Sequence, residues 1–295
     1  MSGFEVDTAR LEKLLLNEGY KLVSHRQPWR HLVGEVEKEG KTYFVKASAD
    51  KEIRERTKNE FAWNERVRGM NLGPLNVPEV YGSGESEGIF WFVGEFIRGV
   101  PMASVKSTDS TYLEKYLDKA VEGALAIAKI ETLLPKDKHH LREYWQERIF
   151  SATDDWIKRA DGKGIMAQNL IKNRLGELEI ASIHGDYTPW HMLVTSDERI
   201  FLIDSEAAQM GGLAHYDAAY FFHRVYTKFK RPDIALRFLR RYVELGKLTD
   251  KEKRVLEAMI AQRLIGGYFD AVNDEVTSLE LNTKLEEKLV AQDLF

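Results

Sequence analysis

Apolar and polar positions change their rhythm along the chain, and each rhythm predicts an element. Leu11, Leu14 and Leu15 repeat at helical spacing, with Asp7 or Thr8 placed to cap the start and Gly19 to stop the helix. Tyr20–Ser24 reads as a short strand. Leu32–Glu37 and Thr42–Ala47 alternate around Lys38-Glu39-Gly40-Lys41, a hairpin signal. Residues 50–69 switch to helical spacing through Ile53, Phe61 and Val67, and Gly69, Gly73, Pro74 and Pro78 then break the chain. Val80–Ser83 and Ile89–Glu95 predict two more strands, joined by the turn-like Gly84–Gly88. Helical patterns dominate 109–133, 139–160, 165–177 and everything from about 214, interrupted by a strand-like island at Ala181–Asp204.

This order predicts an α+β protein: a small antiparallel sheet with one long helix, then a larger, mostly helical part. The change of texture near Gly94–Gly99 places a boundary there, with one domain over 1–96 and a second over 97–295.

Composition narrows the classes. Hydrophobic residues make up 43% and charged residues 31%, enough for a core and too apolar for disorder. Residues 1–100 carry 15 basic and 16 acidic side chains, and the net charge is −4, so no basic footprint for nucleic acid is present. With no cysteine, disulfides, iron–sulfur clusters, thiolate zinc sites and cysteine nucleophiles are excluded. The N-terminus lacks a basic start followed by an apolar run, and no stretch reaches the ~18 apolar residues of a membrane span, so a cytoplasmic protein without membrane partners is expected.

Gly40-Lys41-Thr42 resembles the end of a phosphate-binding P-loop, but the required earlier glycine is Glu35, and a strand follows instead of a helix. A hairpin turn is the better reading. Chemistry concentrates elsewhere: His184, Asp186, His191 and Asp204 fall in one segment. Ile180–Ile183 and Arg199–Ile203 predict short strands with Asp186 and Asp204 just past their ends, and Met192–Val194 predicts a third strand between them. One small sheet would then gather two carboxylates and an imidazole, a set able to bind a divalent cation and place a base beside it.

HGDYTPWHMLV followed by FLIDSEAA resembles the catalytic loop and metal-binding segment of the aminoglycoside phosphotransferase-like kinases, which share the two-lobed protein-kinase fold. The family's pattern is His-Gly-Asp, four residues, Asn, then an apolar strand ending in Ile-Asp. The resemblance runs along essentially the whole chain. Phe44-Val45-Lys46 looks like the strand lysine that touches nucleotide phosphates, and Glu60 like its ion-pair partner. Residues 92–99 look like the hinge that receives the base, and His215-Tyr216-Asp217 like the segment that buttresses the catalytic loop. Two departures stand out. His191 occupies the asparagine position, as it does in macrolide and aminoglycoside 2″-phosphotransferases, many of which use GTP. The nucleotide-covering loop, Ser24–Arg30, contains no glycine, so either backbone cradling of the phosphates is weaker there or Ser24 and basic side chains substitute for it.

The resemblance implies a small-molecule kinase that moves the γ-phosphate of ATP or GTP to a hydroxyl of a small acceptor. Asp186 would be the base. His191 and Asp204 would hold Mg²⁺, and Lys46, Glu60 and Ser24 would serve the nucleotide phosphates. The Gly94 carbonyl and Phe96 amide would meet the base. His184 and Asp217 would brace the site. The residues support part of this alone: a lysine alternating with Phe44 on an inner strand face requires a charged partner. Glu60 neighbours the inward Phe61, which favours it over Glu52, Glu55 and Glu65. The acceptor pocket is expected in the helical part, where Asp270, Asp274 and Glu275 form either an acidic patch for a cationic acceptor or a solvated helix face. Glu206 is a further candidate without an assigned role. The alternatives are a kinase-like protein that binds nucleotide without transfer, and a metal-dependent hydrolase using the two histidines and two aspartates.

Overall fold

The computed structural model describes residues 4–106, 109–130 and 138–294. The chain forms two compact units, and neither is continuous in sequence. The first contains 1–70, 76–100 and 193–208; the second contains 71–75, 101–192 and 209–295.

The first unit is built on a five-stranded antiparallel sheet in the order β1 (Lys21–Arg26), β2 (Leu32–Lys38), β3 (Lys41–Ser48), β6 (Ile89–Glu95), β5 (Val80–Ser86). The β2–β3 hairpin pairs Lys38 with Lys41, and Glu39 and Gly40 take left-handed backbone angles at the turn. Alternation sorts the side chains onto two faces. Val36, Val45, Trp91 and Val93 join Leu11 and Leu15 of α1 (Thr8–Asn17) in one core. Asp7 caps α1 by accepting from the Arg10 amide. On the other face Val80, Phe90 and Phe92 form a second core with Phe44 and with Phe61 of α2 (Lys51–Val67). Lys46 lies one residue from Val45, so it emerges on this second face. β1 runs through Arg26, and Ser24 therefore sits inside the strand opposite Glu35, not in a covering loop. Gly34 permits that pairing, because a Cβ there would stand 2.2 Å from the Ser24 carbonyl oxygen.

The predicted island does not make one sheet. β9 (Met192–Thr195) and β10 (Ile200–Leu202) pair with each other, flanked by β7 (Gly99–Pro101) and the two-residue β4 (Leu75–Asn76). β8 (Ile180–Ile183) pairs instead with β11 (Gln209–Leu213) in the second unit.

Helices dominate the second unit. The central α9 (Asp250–Asn273) opens with a capping box between Thr249 and Glu252 and is buried on nearly every side from Val255 to Tyr268. Packed against it are α5 (Lys138–Arg159), α6 (Ile165–Arg174), α7 (Tyr216–Thr227) and α10 (Leu279–Val290). Gly267 allows the closest approach: a Cβ there would lie 2.3 Å from His223 Nε2 and 2.4 Å from Asn282 Oδ1. The helical pattern predicted over 109–133 is two helices, α3 (Thr111–Lys115) and α4 (Leu117–Ala128), divided at the buried Tyr116; its last residues, 131–133, lie outside the described residues. The remaining helix, α8 (Pro232–Gly246), packs on α4 and α7. Among the described residues no helix is long and apolar enough to cross a membrane.

Candidate active site

In the first unit a buried lysine gathers three carboxylates. Lys46, only 5% exposed, places Nζ 2.6 Å from Glu60 Oε2, 2.7 Å from Asp204 Oδ1 and 4.0 Å from Glu206 Oε2. Of the four glutamates considered on α2, Glu60 alone is buried. Glu52 and Glu55 pair along the helix with Arg56 and Lys58. Burial works against the Lys46 charge, but Glu60 and then Asp204 outweigh it, so the ammonium is held protonated above the ordinary lysine value. Burial pushes Glu60 up to about 7 against the pull of Lys46.

Asp204 follows β10 in a left-handed conformation, φ 63°, which turns the chain sharply after the strand. The short helix behind it, Ser205–Ala207, is tied to α2. Ser205 Oγ donates to Asn64 Oδ1 at 3.0 Å, and Asn59 Nδ2 donates to the Glu206 and Ala208 carbonyls at 3.1 and 2.9 Å. Glu206 also accepts Arg30, and His31 Nε2 stands 3.3 Å from its other oxygen. Burial and then the neighbouring Asp204 raise the Glu206 carboxyl. Burial and then Lys46 depress His31 to about 3, so that ring is neutral. The glycine-free β1–β2 connection is therefore anchored through Arg30 and His31 to the Asp204 segment. Sequence reasoning had no role for Glu206 and did not find Asn59 or Asn64; charge complementarity between 30–31 and 206 is the only signal present, and it spans 176 residues for Arg30.

Gly94 lies in β6 between Phe44 and Val80, where a Cβ would approach the Glu79 carbonyl oxygen to 3.0 Å. Phe96 follows the end of β6, beside a cavity of about 450 Å³ lined also by Tyr43, Tyr81 and Arg98.

The second unit carries the loop after β8. Asp217, buried in the first turn of α7, accepts from the His184 amide at 2.7 Å and the Gly185 amide at 2.9 Å. Burial pushes its carboxyl up to about 7, against the two amides. Gly185 has φ 80°, a turn that aims the next residue, Asp186. Tyr187 is fully buried and donates its hydroxyl to the Ala120 carbonyl at 2.6 Å, which pins the loop to α4. His184 is fully buried and packs edge-on against Tyr187. Pro189 opens a turn of 3₁₀ helix ending at His191, whose Nδ1 is 3.1 Å from the Asp186 carbonyl oxygen and 3.6 Å from its carboxylate. Of the three acidic residues read as either an acidic patch or a solvated helix face, Asp270 pairs with Arg224 and Asp274 with Lys228.

The fold is that of the protein-kinase-like phosphotransferases. The model of the phosphotransferase enzyme family matches residues 24–254. The chain belongs to this family and is a phosphotransferase. No curated protein matches the sequence. Similar solved structures cover nearly the whole chain. A thermostable mutant of aminoglycoside phosphotransferase APH(4)-Ia, in ternary complex with ADP and hygromycin B, aligns with a TM-score of 0.65 at 17% identity over 96% of this chain and 97% of that one. Choline kinase LicA from Streptococcus pneumoniae gives 0.58 at 15% identity over 97% and 98%. The GDP complex of wild-type aminoglycoside 2′-phosphotransferase-IIIa gives 0.58 at 10% identity over 98% and 99%.

Proposed function

We propose that the chain transfers the γ-phosphoryl group of ATP or GTP to a hydroxyl of a small molecule, an aminoglycoside-like, macrolide-like or metabolite acceptor. The observation that carries this reading is the Lys46 ammonium, buried and kept charged by Glu60 and Asp204. Such a cation is suited to meet nucleotide phosphates while Glu60 fixes its position. Gly94 and Phe96 then offer backbone groups to the base. Ser24 lies in β1, and Arg30 is the nearer candidate on the covering connection. The complexes of similar proteins with ADP and with GDP support a nucleotide donor of either base.

Asp186 is assigned as the base: it orients the acceptor hydroxyl and takes its proton as the phosphoryl group moves. His184 and Asp217 hold the loop that presents it. Asp204 supplies a carboxylate oxygen, the hard donor that Mg²⁺ takes. His191, with Nδ1 turned to the Asp186 carbonyl, would ligate through Nε2. The ion would neutralise charge on the transferring phosphates. A cytoplasmic location goes with this reading.

Two measurements test it. Mg²⁺ with ATP or GTP at ~100 times its dissociation constant adds ~2.7 kcal/mol of stability, a rise in melting temperature that Asp204→Ala abolishes. Asp186→Ala keeps that rise and lowers kcat for phosphoryl transfer by roughly 10²- to 10⁴-fold. A nucleotide shift with no turnover of any acceptor by the wild type would favour the alternative, a kinase-like protein that binds nucleotide without transfer, and turnover that Asp186→Ala loses would eliminate it.

A further inference from the structure

Arg263, on α9, is 6% exposed. Its guanidinium lies 4.1 Å from the Tyr220 ring centre and 5.8 Å from those of Trp156 and Tyr216. Nη1 donates to the Tyr216 hydroxyl at 3.2 Å, while Nε is buried and makes no hydrogen bond. No carboxylate pairs with it among the described residues, whereas the adjoining Arg224 has Asp270. A buried cation is ordinarily matched by an anion. Aromatic faces offset only part of the cost of removing a guanidinium from water. Among the described residues the cluster therefore holds one guanidinium with no carboxylate in direct contact.

Its position gives that charge a use. Tyr216, which binds Arg263, precedes Asp217, and Asp217 accepts the Gly185 amide next to Asp186. Tyr220, stacked on Arg263, is close enough to Asp186 to feel its charge. The guanidinium without a direct carboxylate partner thus belongs to the surroundings of the loop that presents the base.

We infer that the acceptor carries an anionic group, a carboxylate or a phosphate, in addition to the hydroxyl that is phosphorylated, and that Arg263 binds this anion. The inference rests on the phosphotransfer reading with Asp186 as base. It opposes the polycationic acceptors that an acidic patch would have favoured.

The test uses the full chain with Mg²⁺ and saturating nonhydrolysable ATP or GTP analogue, and a matched set of probes: glycerate, glycerol 3-phosphate, glycerol and 3-amino-1,2-propanediol. One or both anionic probes are expected to raise the melting temperature beyond the nucleotide alone, and which of them does so separates carboxylate from phosphate. Glycerol and the amine should add nothing. Arg263→Gln should weaken anion binding about tenfold or more, with Arg263→Lys recovering part. If Arg263→Gln does not fold, Tyr216→Phe must still weaken it, because the hydroxyl that aims Nη1 is gone. The inference is overturned if no anion adds stability, if glycerol or the amine adds as much, or if the anion effect survives unchanged in the variants. Failure of the nucleotide itself to shift the melting temperature would instead sink the phosphotransfer reading, and the same probes without nucleotide would still report whether Arg263 prefers an anion.

Discussion

The two units bury charge in opposite ways. Around Lys46, charge is balanced by charge: an ammonium on β3 meets carboxylates from α2 and from the segment after β10. Around Asp217, one carboxylate is balanced by two backbone amides of the loop it supports. The first arrangement can exchange partners, since the ammonium remains a cation whichever oxygen approaches it. That suits a group proposed to meet phosphates. The second cannot exchange partners without moving the backbone, which suits a loop that must hold Asp186 in one place.

Breaking the first arrangement should have the larger effect. Lys46→Met leaves Glu60 buried beside Asp204 with no cation, and removing one partner of a buried ion pair typically costs about 3–5 kcal/mol. Chemical denaturation reads this directly. Lys46→Met with Glu60→Leu, which removes both buried charges, should recover most of the loss while nucleotide binding stays lost. If the double variant is no more stable than Lys46→Met alone, the pair does not act as a unit and the contrast between the units fails.

Asp217→Asn is the corresponding change in the second unit, with a smaller expected cost of about 1–3 kcal/mol, since an amide oxygen replaces only part of what the two N–H groups receive. The functional signature should differ as well. Lys46→Met should raise KM for nucleotide, whereas Asp217→Asn should lower kcat and leave that KM nearly unchanged, because it loosens the loop and not the phosphate contact. Equal effects on both parameters in both variants would erase the proposed division of labour.

Much of this was legible from local pattern. Alternation through Phe44, Val45 and Lys46 places the lysine on an inner face, and the α2 helix that supplies Glu60 reads at once from Ile53, Phe61 and Val67. What stayed hidden was pairing at a distance. β8, β9 and β10 are three or four residues each, too short for alternation to name a partner, and β8 finds β11 instead of its sequence neighbours. The break at Tyr116 carries no glycine or proline. Asp270 and Asp274 could be read as an acidic patch or a solvated face because their partners, Arg224 on α7 and Lys228 just after it, lie 46 residues away. The unmatched Arg263 could be noticed only once its neighbours were known to be aromatic.

The smallest effect at neutral pH concerns His215, at the start of α7, and it separates the two modes by their pH dependence. Burial depresses this histidine to about 4, and its Nδ1 is 3.0 Å from the Tyr242 hydroxyl. The folded state keeps it neutral, whereas the unfolded chain takes up a proton near pH 6.5. Below that value the unfolded state binds more protons, so this group's contribution to stability falls as the pH drops from about 6.5 toward 4, by about 2–3 kcal/mol in all. Asp217 acts in the other direction. Its carboxyl is raised to about 7 in the folded state, so below that value the folded state binds more protons, and its contribution declines as the pH rises from about 4 to 7. The two contributions oppose each other in one window. His215→Asn tolerates the left-handed backbone at this position, φ 65°, and should cost about 1 kcal/mol at pH 8 for the lost hydrogen bond. It should also remove the rising His215 contribution, so that the stability of the variant relative to wild type falls between pH 5 and pH 7. Urea titrations at four or five pH values would show it. A variant whose profile merely shifts downward, parallel to wild type, would mean that His215 contributes no titration in this window.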